Sequence, residues 1–120
     1  MTRTRNSKQG DLEDRILRFA RDITEFLKVL PKTMANVEVT KQRVRSYGSL
    51  GTNYIEANEA LGKKDFTMRI RICRKEAKES RYWLNLVEPR GEGAEGKGRS
   101  LINEAGQLMR IFGSILEKTK

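Results

Sequence analysis

Apolar side chains recur every three or four residues along most of this 120-residue chain. That spacing places successive side chains on one face of an α-helix, whereas a half-buried strand alternates with a period of two. Similar runs cover residues 12–30, 47–61 and 101–119, and few stretches alternate with period two. The cleanest run consists of Phe66, Ile70, Cys73, Ala77, Ser80, Leu84 and Val87. The sequence therefore predicts an all-α fold, an antiparallel up-down four-helix bundle.

Proline and glycine divide the chain into these helices. Pro31 ends the first helix, because proline lacks the backbone N–H that a helix interior needs. Residues 88–99 are rich in Gly and Glu, which predicts a flexible linker before the fourth helix. Residues 1–10 contain three basic side chains and no acidic one, so we expect either a flexible basic N-terminal arm or a merely solvated terminus. Residues 11–120 then form a single four-helix-bundle domain.

The composition excludes the commonest enzyme designs. The chain contains no His, which removes His-ligated zinc sites, Ser-His-Asp triads and Cys-His catalysis. Its one cysteine, Cys73, cannot form an internal disulfide and suits a reducing compartment. No apolar stretch reaches the roughly 18 residues of a membrane span. We therefore expect a cytoplasmic protein that is not an enzyme, has no catalytic or metal-binding residues, needs no cofactor and does not enter a membrane.

Two pairs of glutamates are candidate metal ligands. Glu56 with Glu59, and Glu76 with Glu79, are spaced three residues apart and so share a helix face. Paired carboxylates of this kind hold metal ions in some helical bundles, but those sites also use His. Salt bridges to basic residues are the better interpretation.

Basic residues are concentrated on one flank of the third helix. The chain has a formal net charge of +9, which favours a polyanionic partner. At 100° per residue, five cations and no acid fall on one side of the helix: Arg71, Arg74, Lys75, Lys78 and Arg81. With Lys41, Arg43 and Arg45 they are the candidate nucleic-acid-binding residues, to which Lys63 and Lys64 add charge. The alternative is an ordinary basic surface that keeps the protein in solution.

Two helices have more apolar surface than a single bundle seam requires. The fourth helix carries an apolar arc of roughly 180°, where a surface helix needs a little over 100°. The third helix has a second apolar flank beside its seam. The surplus predicts a homo-oligomer whose interface contains Ile72, Trp83, Leu86, Ile102, Met109 and Leu116. The alternatives are a more deeply buried fourth helix within a monomer, and a Trp83 that closes one end of the core.

Two segments carry a family resemblance. Ser49-Leu50-Gly51-Thr52-Asn53-Tyr54-Ile55-Glu56-Ala57 is similar to a Ser-Ile-Gly-Ala-Asn-x-x-Glu-Ala signature. Asp65-Phe66, Glu76-Ala77-x-Glu79 and Tyr82-Trp83-Leu84 follow in the order of a second signature. Both resemble the small bacterial four-helix-bundle proteins first noticed in intervening sequences of 23S ribosomal RNA genes. The same motifs resemble a related branch, the accessory variability protein of diversity-generating retroelements.

The resemblance implies a homopentameric barrel with a basic surface and, for the retroelement branch, binding of nucleic acid and of a reverse transcriptase. It implies no catalytic residues, and we interpret its signature positions Asn53, Glu56, Glu76 and Glu79 as architectural. The expected function is a non-enzymatic oligomeric scaffold that binds RNA or DNA through its basic surface, as an accessory factor to a reverse transcriptase. The alternative is a protein-interaction adaptor of the ribosomal intervening-sequence type, without direct nucleic-acid binding.

Overall fold

A computed structural model describes the backbone of residues 7–120 and the side chains of residues 10–41 and 46–120. Four helices follow one another: α1 (Ser7–Val29), α2 (Met34–Asn58), α3 (Lys63–Leu84) and α4 (Glu92–Lys118). The described residues form no strand, which confirms the all-α prediction. None of these helices is long and apolar enough to cross a membrane.

The four helices pack in a ring around one core. α1 contacts α2 and α4, and α3 contacts the same two helices from the other side. Each helix contributes large buried side chains to the centre, among them Phe19, Phe26, Leu50, Ile70, Leu108 and Phe112. The predicted row on α3 is confirmed, since Ile70, Cys73, Ala77, Ser80 and Leu84 are all buried. The molecule measures 45 × 27 × 21 Å along its principal axes.

One buried amide joins two connections at the same end of the bundle. Thr33 caps α2 by accepting a hydrogen bond from the backbone N–H of Asn36 at 3.1 Å. The Asn36 side chain donates to the carbonyl oxygens of Pro31 at 3.0 Å and Glu88 at 3.1 Å. Its oxygen accepts from the Glu88 N–H at 2.8 Å. This Asn36 clasp holds the α1–α2 connection against the segment that follows α3.

The predicted flexible linker at residues 88–99 is wrong from residue 92 onward, because α4 begins at Glu92. The reason is at Gly98, which is buried against the ring of Phe26. A Cβ at Gly98 would lie 3.2 Å from the Phe26 Cζ, so this glycine allows α1 and α4 to approach closely. The bend itself occurs at Gly91, whose φ of 91° favours glycine.

The first helix begins earlier than the sequence suggested. α1 starts at Ser7, within the range assigned to the basic arm. The rest of that arm, residues 1–6, lies outside the described residues.

Much of the apolar surplus is buried inside the protomer. Trp83 is 1% exposed and belongs to the core, so it does not present a surface to another copy. Ile102, Met109 and Leu116 are half-buried and pack against the same core. The structure thus favours the two alternatives, a deeply buried α4 and a tryptophan within the bundle. Of the predicted interface residues, Ile72 is half-buried, and Leu86 is 48% exposed in the turn that follows α3.

Replacing Gly98 tests the close approach of α1 and α4. We expect Gly98→Leu to lower the free energy of unfolding by about 1–3 kcal/mol, because the added side chain collides with Phe26. In the control Gly48→Ala, no atom lies within 4 Å of the added Cβ. That change should raise the free energy of unfolding by about 0.5–1 kcal/mol, since alanine favours the helix. Urea unfolding measures both, and stabilisation by Gly98→Leu would contradict the packing.

Candidate functional site

Charged residues are sorted between the two flanks of α3. The flank toward α2 is marked by the hydrogen bond from Arg69 Nη1 to Asn53 Oδ1 at 3.0 Å. Helix geometry places the acids Asp65, Glu76 and Glu79 on that side. The cations of α3 other than Arg69 point toward α4 or outward. The charge separation predicted for this helix is therefore retained in the folded chain.

A cleft of about 570 Å³ lies between α3 and the end of α4. We call it the α3–α4 groove; it is lined by Lys63, Lys64, Thr67, Arg71, Arg74, Gly113, Leu116, Glu117, Thr119 and Lys120. Five of these side chains are basic, and one is acidic. The acidic one, Glu117, pairs with the Lys120 ammonium at 3.0 Å. The groove therefore has a strong excess of positive charge.

The row of cations continues along α3 beyond the cleft. Arg81 lies beside Gly106 of α4, where an added Cβ would be 3.4 Å from the Arg81 Nη1. Lys78 lies between Arg74 and Arg81 on the same side of the helix. From Lys63 to Arg81 the row extends about 27 Å at 1.5 Å per residue.

The cations of this row are available to a ligand. Arg71, Arg74, Lys78 and Arg81 are exposed. Among the residues that the structure describes, none of them lies within ion-pair distance of a carboxylate. Their charge is therefore not neutralised by any carboxylate in the described part of the chain.

The structure brings together some of the predicted binding residues and separates others. Arg71 and Arg74 line the groove, Lys78 and Arg81 extend it, and Lys75 faces outward beside them. Lys41 instead lines a small cleft between α1 and α2, away from the groove. The side chains of two further candidates, Arg43 and Arg45, lie outside the described part of the chain.

Sequence reasoning missed the contribution of α4. Lys120 faces the cations of α3 across the groove, and Gly106 and Gly113 leave room between the two helices. No signal in the sequence shows which residues of two separate helices lie opposite each other.

Two other ionisable side chains, Arg15 and Glu76, have pKa values that are shifted by their surroundings. Arg15 donates to both carboxylate oxygens of Glu104, at 2.6 and 2.8 Å, and this bond raises the pKa of the guanidinium. Burial, followed by the nearby Glu79, raises the pKa of Glu76. Among the described residues, no group of three cysteine or carboxylate side chains is placed to hold a metal ion.

Comparison with known proteins agrees with this architecture. The sequence model of the family described as 23S rRNA-intervening sequence protein matches residues 11–114. The chain belongs to this family. A solved structure from Bacteroides thetaiotaomicron, a protein of unknown function from the S23 ribosomal protein family, is 30% identical with a TM-score of 0.78. The match covers 92% of this chain and 98% of that one. No curated protein matches the chain.

Asn53, at a position that resembles the intervening-sequence signature, makes a contact between two helices. The Asn53 side chain donates to the backbone oxygen of Ser49 at 2.9 Å and accepts from Arg69. It therefore links α2 to α3 at the flank opposite the groove.

Cys73 is the remaining candidate for reactive chemistry in this family member. Its thiol is buried and donates to the backbone oxygen of Leu50 at 3.6 Å. Burial raises the pKa of the thiol from 9.0 to about 12. Because the thiolate is the nucleophilic form, Cys73 is protected from reaction in the folded protein.

The buried thiol gives a pH dependence of stability. The unfolded thiol ionises near its ordinary pKa and the folded one near 12, so the stability due to Cys73 is complete below about pH 9 and is lost as the pH rises toward 12. Urea unfolding should show a steeper decline from pH 9 to 11 in the wild type than in Cys73→Ala. At pH 8 the native thiol should resist Ellman's reagent, whereas the urea-unfolded chain reacts at once. Rapid labelling of the native protein would contradict this.

Proposed function

We propose that this protein is a non-enzymatic scaffold that binds the phosphate backbone of nucleic acid along the α3–α4 groove. The observation that carries the proposal is the row of exposed cations, free of ion pairs within the described chain, facing a groove whose one acid is already paired. Neutralisation of phosphates by Lys and Arg supplies most of the affinity in sequence-independent binding. A surface of this charge and length suits a polyanion better than a small substrate.

The residues that line the groove favour binding to the phosphate backbone without recognition of individual bases. Among the described residues that line it, there is no aromatic side chain on which bases stack. Tyr82 is exposed on the outer side of α3, beside the cations. The family description names an intervening sequence of 23S rRNA, which supports RNA over DNA as the ligand.

The scaffold is proposed to be a homo-oligomer of antiparallel bundles. The register of contacts supports the antiparallel arrangement, since Arg15 pairs with Glu104 and, seven residues later in α1, Asp22 pairs with Lys97. Met68 on the outer side of α3 is 45% exposed, and Leu86 in the turn after α3 is 48% exposed, which suits contact with another copy. We propose a pentameric barrel on the family resemblance, acting in the cytoplasm and presenting nucleic acid to a reverse transcriptase.

A protein-interaction adaptor is the second candidate. Three large side chains are exposed on α3 or in the turn that follows it: Met68, Tyr82 and Leu86. A protein surface that is partly apolar and acidic would complement both features. A partner protein that remains bound after nuclease treatment would favour this function over the first.

Charge reversal in the groove tests nucleic-acid binding. We expect R71E/R74E/K78E to weaken binding of a labelled RNA hairpin at least about tenfold, because three phosphate contacts become repulsive. Its log-log salt slope should fall by about 2–3. Fluorescence anisotropy across a salt series measures both effects.

The matched control reverses three exposed cations away from the groove. R18E/K32E/R90E changes the net charge by the same amount and should leave the affinity closer to that of the wild type. Equal losses in the two variants would reduce the effect to overall charge. No binding by the wild type at low salt would rule out the proposed function.

Substitution of the exposed apolar residues Met68 and Leu86 tests the proposed homo-oligomer. Light scattering should give the wild type a mass several times that of one chain, and M68D/L86D should lower it, because carboxylates would be buried in the contact. Val29→Asp is the control, an equally polar change at an apolar residue that is 64% exposed elsewhere. A wild type that is monomeric at micromolar concentration would contradict the oligomer.

A further inference from the structure

Two arginines from different helices meet at Gly106 of α4. A Cβ added to this glycine would lie 3.4 Å from the Arg81 Nη1 and 4.0 Å from the Arg110 Nη2. Arg81 belongs to α3, whereas Arg110 lies one turn after Gly106 on α4. The two nitrogens are therefore no farther apart than these two distances placed end to end. The packing of α3 against α4 thus brings two guanidinium groups to one point of the surface.

No described carboxylate compensates this pair of charges. Among the residues that the structure describes, neither Arg81 nor Arg110 is in an ion pair or donates a side-chain hydrogen bond. Arg15 shows the more usual arrangement, because its guanidinium is held by Glu104 on the facing helix. Two like charges at short range repel each other, and an anion between them turns that repulsion into attraction. The pair therefore favours an anion from outside the chain.

The absence of a side chain at Gly106 allows both guanidinium groups to reach the same point. Gly106 is buried, whereas Arg81 and Arg110 are exposed. Gly113, which lines the α3–α4 groove, differs in this respect, because a Cβ added there would have no atom within 4 Å. The convergence of two arginines is therefore a feature of position 106 and does not recur at Gly113.

The geometry of the pair suits a phosphate group. A guanidinium presents a fork of N–H donors, and its charge-assisted bonds to phosphate measure about 2.7–2.9 Å. The tetrahedral oxygens of a phosphate offer acceptors to two forks at once, whereas one fork uses both oxygens of a carboxylate. We propose that Arg81 and Arg110 form a clamp that holds a single phosphate group between them.

The Arg81–Arg110 clamp adds a defined position for one phosphate to the row of cations on α3. The inference deepens the nucleic-acid binding proposed above and rests on it for the source of the phosphate. That source is either the end of a nucleic-acid chain, which carries a phosphate monoester, or an internal linkage, which is a diester.

Small phosphates test the clamp without any nucleic acid. In NMR spectra of the full chain titrated with methyl phosphate or dimethyl phosphate, the Nε–H signals of Arg81 and Arg110 should shift saturably with a common midpoint, because one group contacts both side chains. Arg110→Gln should weaken the binding reported by the Arg81 signal at least about tenfold. The signal of Arg90, which is exposed before α4, is the internal control and should not saturate in the same range. Tighter binding of methyl phosphate indicates a chain end as the source, whereas similar binding of dimethyl phosphate indicates an internal linkage.

A double-mutant cycle on RNA binding tests whether the two arginines act together. R81Q and R110Q should each weaken binding of the labelled hairpin at least about fivefold, and R81Q/R110Q should weaken it little further, because either change alone opens the clamp. The control pair is Arg71 and Lys78, which are about 10 Å apart along α3. The losses in R71Q and K78Q should multiply in the double variant to within about a factor of two. Fluorescence anisotropy measures all six variants.

Filling position 106 tests the geometry at constant net charge. Gly106→Leu places a side chain where the two guanidinium groups converge, so it should separate them and weaken methyl phosphate binding at least about tenfold. Gly93→Leu is the control, because Gly93 is exposed and a Cβ added there has no atom within 4 Å. This control should bind methyl phosphate as the wild type does. Circular dichroism checks that both variants fold.

Failure of the clamp can be distinguished from failure of the proposed function. Different midpoints for the Arg81 and Arg110 signals, no saturable shift, or losses that multiply in R81Q/R110Q would each overturn the clamp. RNA binding that depends on Arg71, Arg74 and Lys78 would still stand in that case. If RNA does not bind but methyl phosphate saturates both arginine signals with one midpoint, the clamp is supported as a phosphate site and the nucleic-acid function is wrong.

Discussion

The buried side chain of Asn36 is the constraint on which the arrangement of the helices depends. It is 2% exposed, and it uses both its donor and its acceptor on backbone groups of two segments that are far apart in sequence. Leaving any of those backbone groups without a partner in the interior costs about 1–3 kcal/mol. One end of the bundle is therefore held by directional bonds from a single buried side chain.

Closure at one end determines which flanks of the helices meet. With α3 between α2 and α4, its acids lie toward α2, and its cations other than Arg69 lie toward α4 or outward. The small residues of α4, Gly106 and Gly113, then adjoin the long basic side chains of α3. The result is a positively charged groove on one side of the molecule, without any change in the helices themselves.

Helical periodicity predicted four helices and the buried row of α3, because each depends on residues close together in sequence, but it covered only the second half of α2 and missed the start of α4. It did not predict which helix lies against each helix face. The sequence predicts that Lys41 and Arg71 are both surface cations, yet only Arg71 lies beside α4. Lys120 lines the same groove as Arg71, and helical periodicity does not predict which residues of two helices lie opposite each other. The linker prediction failed for a related reason, because a glycine such as Gly98 can permit either flexibility or close helix contact.

The contact of Arg81 with Gly106 affects how that guanidinium meets a ligand. An arginine on an open surface samples many rotamers and loses that freedom when a phosphate immobilises it. Here the backbone of α4 at Gly106 lies beside the Arg81 side chain and restricts its rotamers before any ligand binds. A bulkier residue at position 106 would not change the charge of the bundle, but it would remove this preorganisation of Arg81. The affinity of the groove for an anion therefore depends on the geometry of the neighbouring helix as well as on the number of cations.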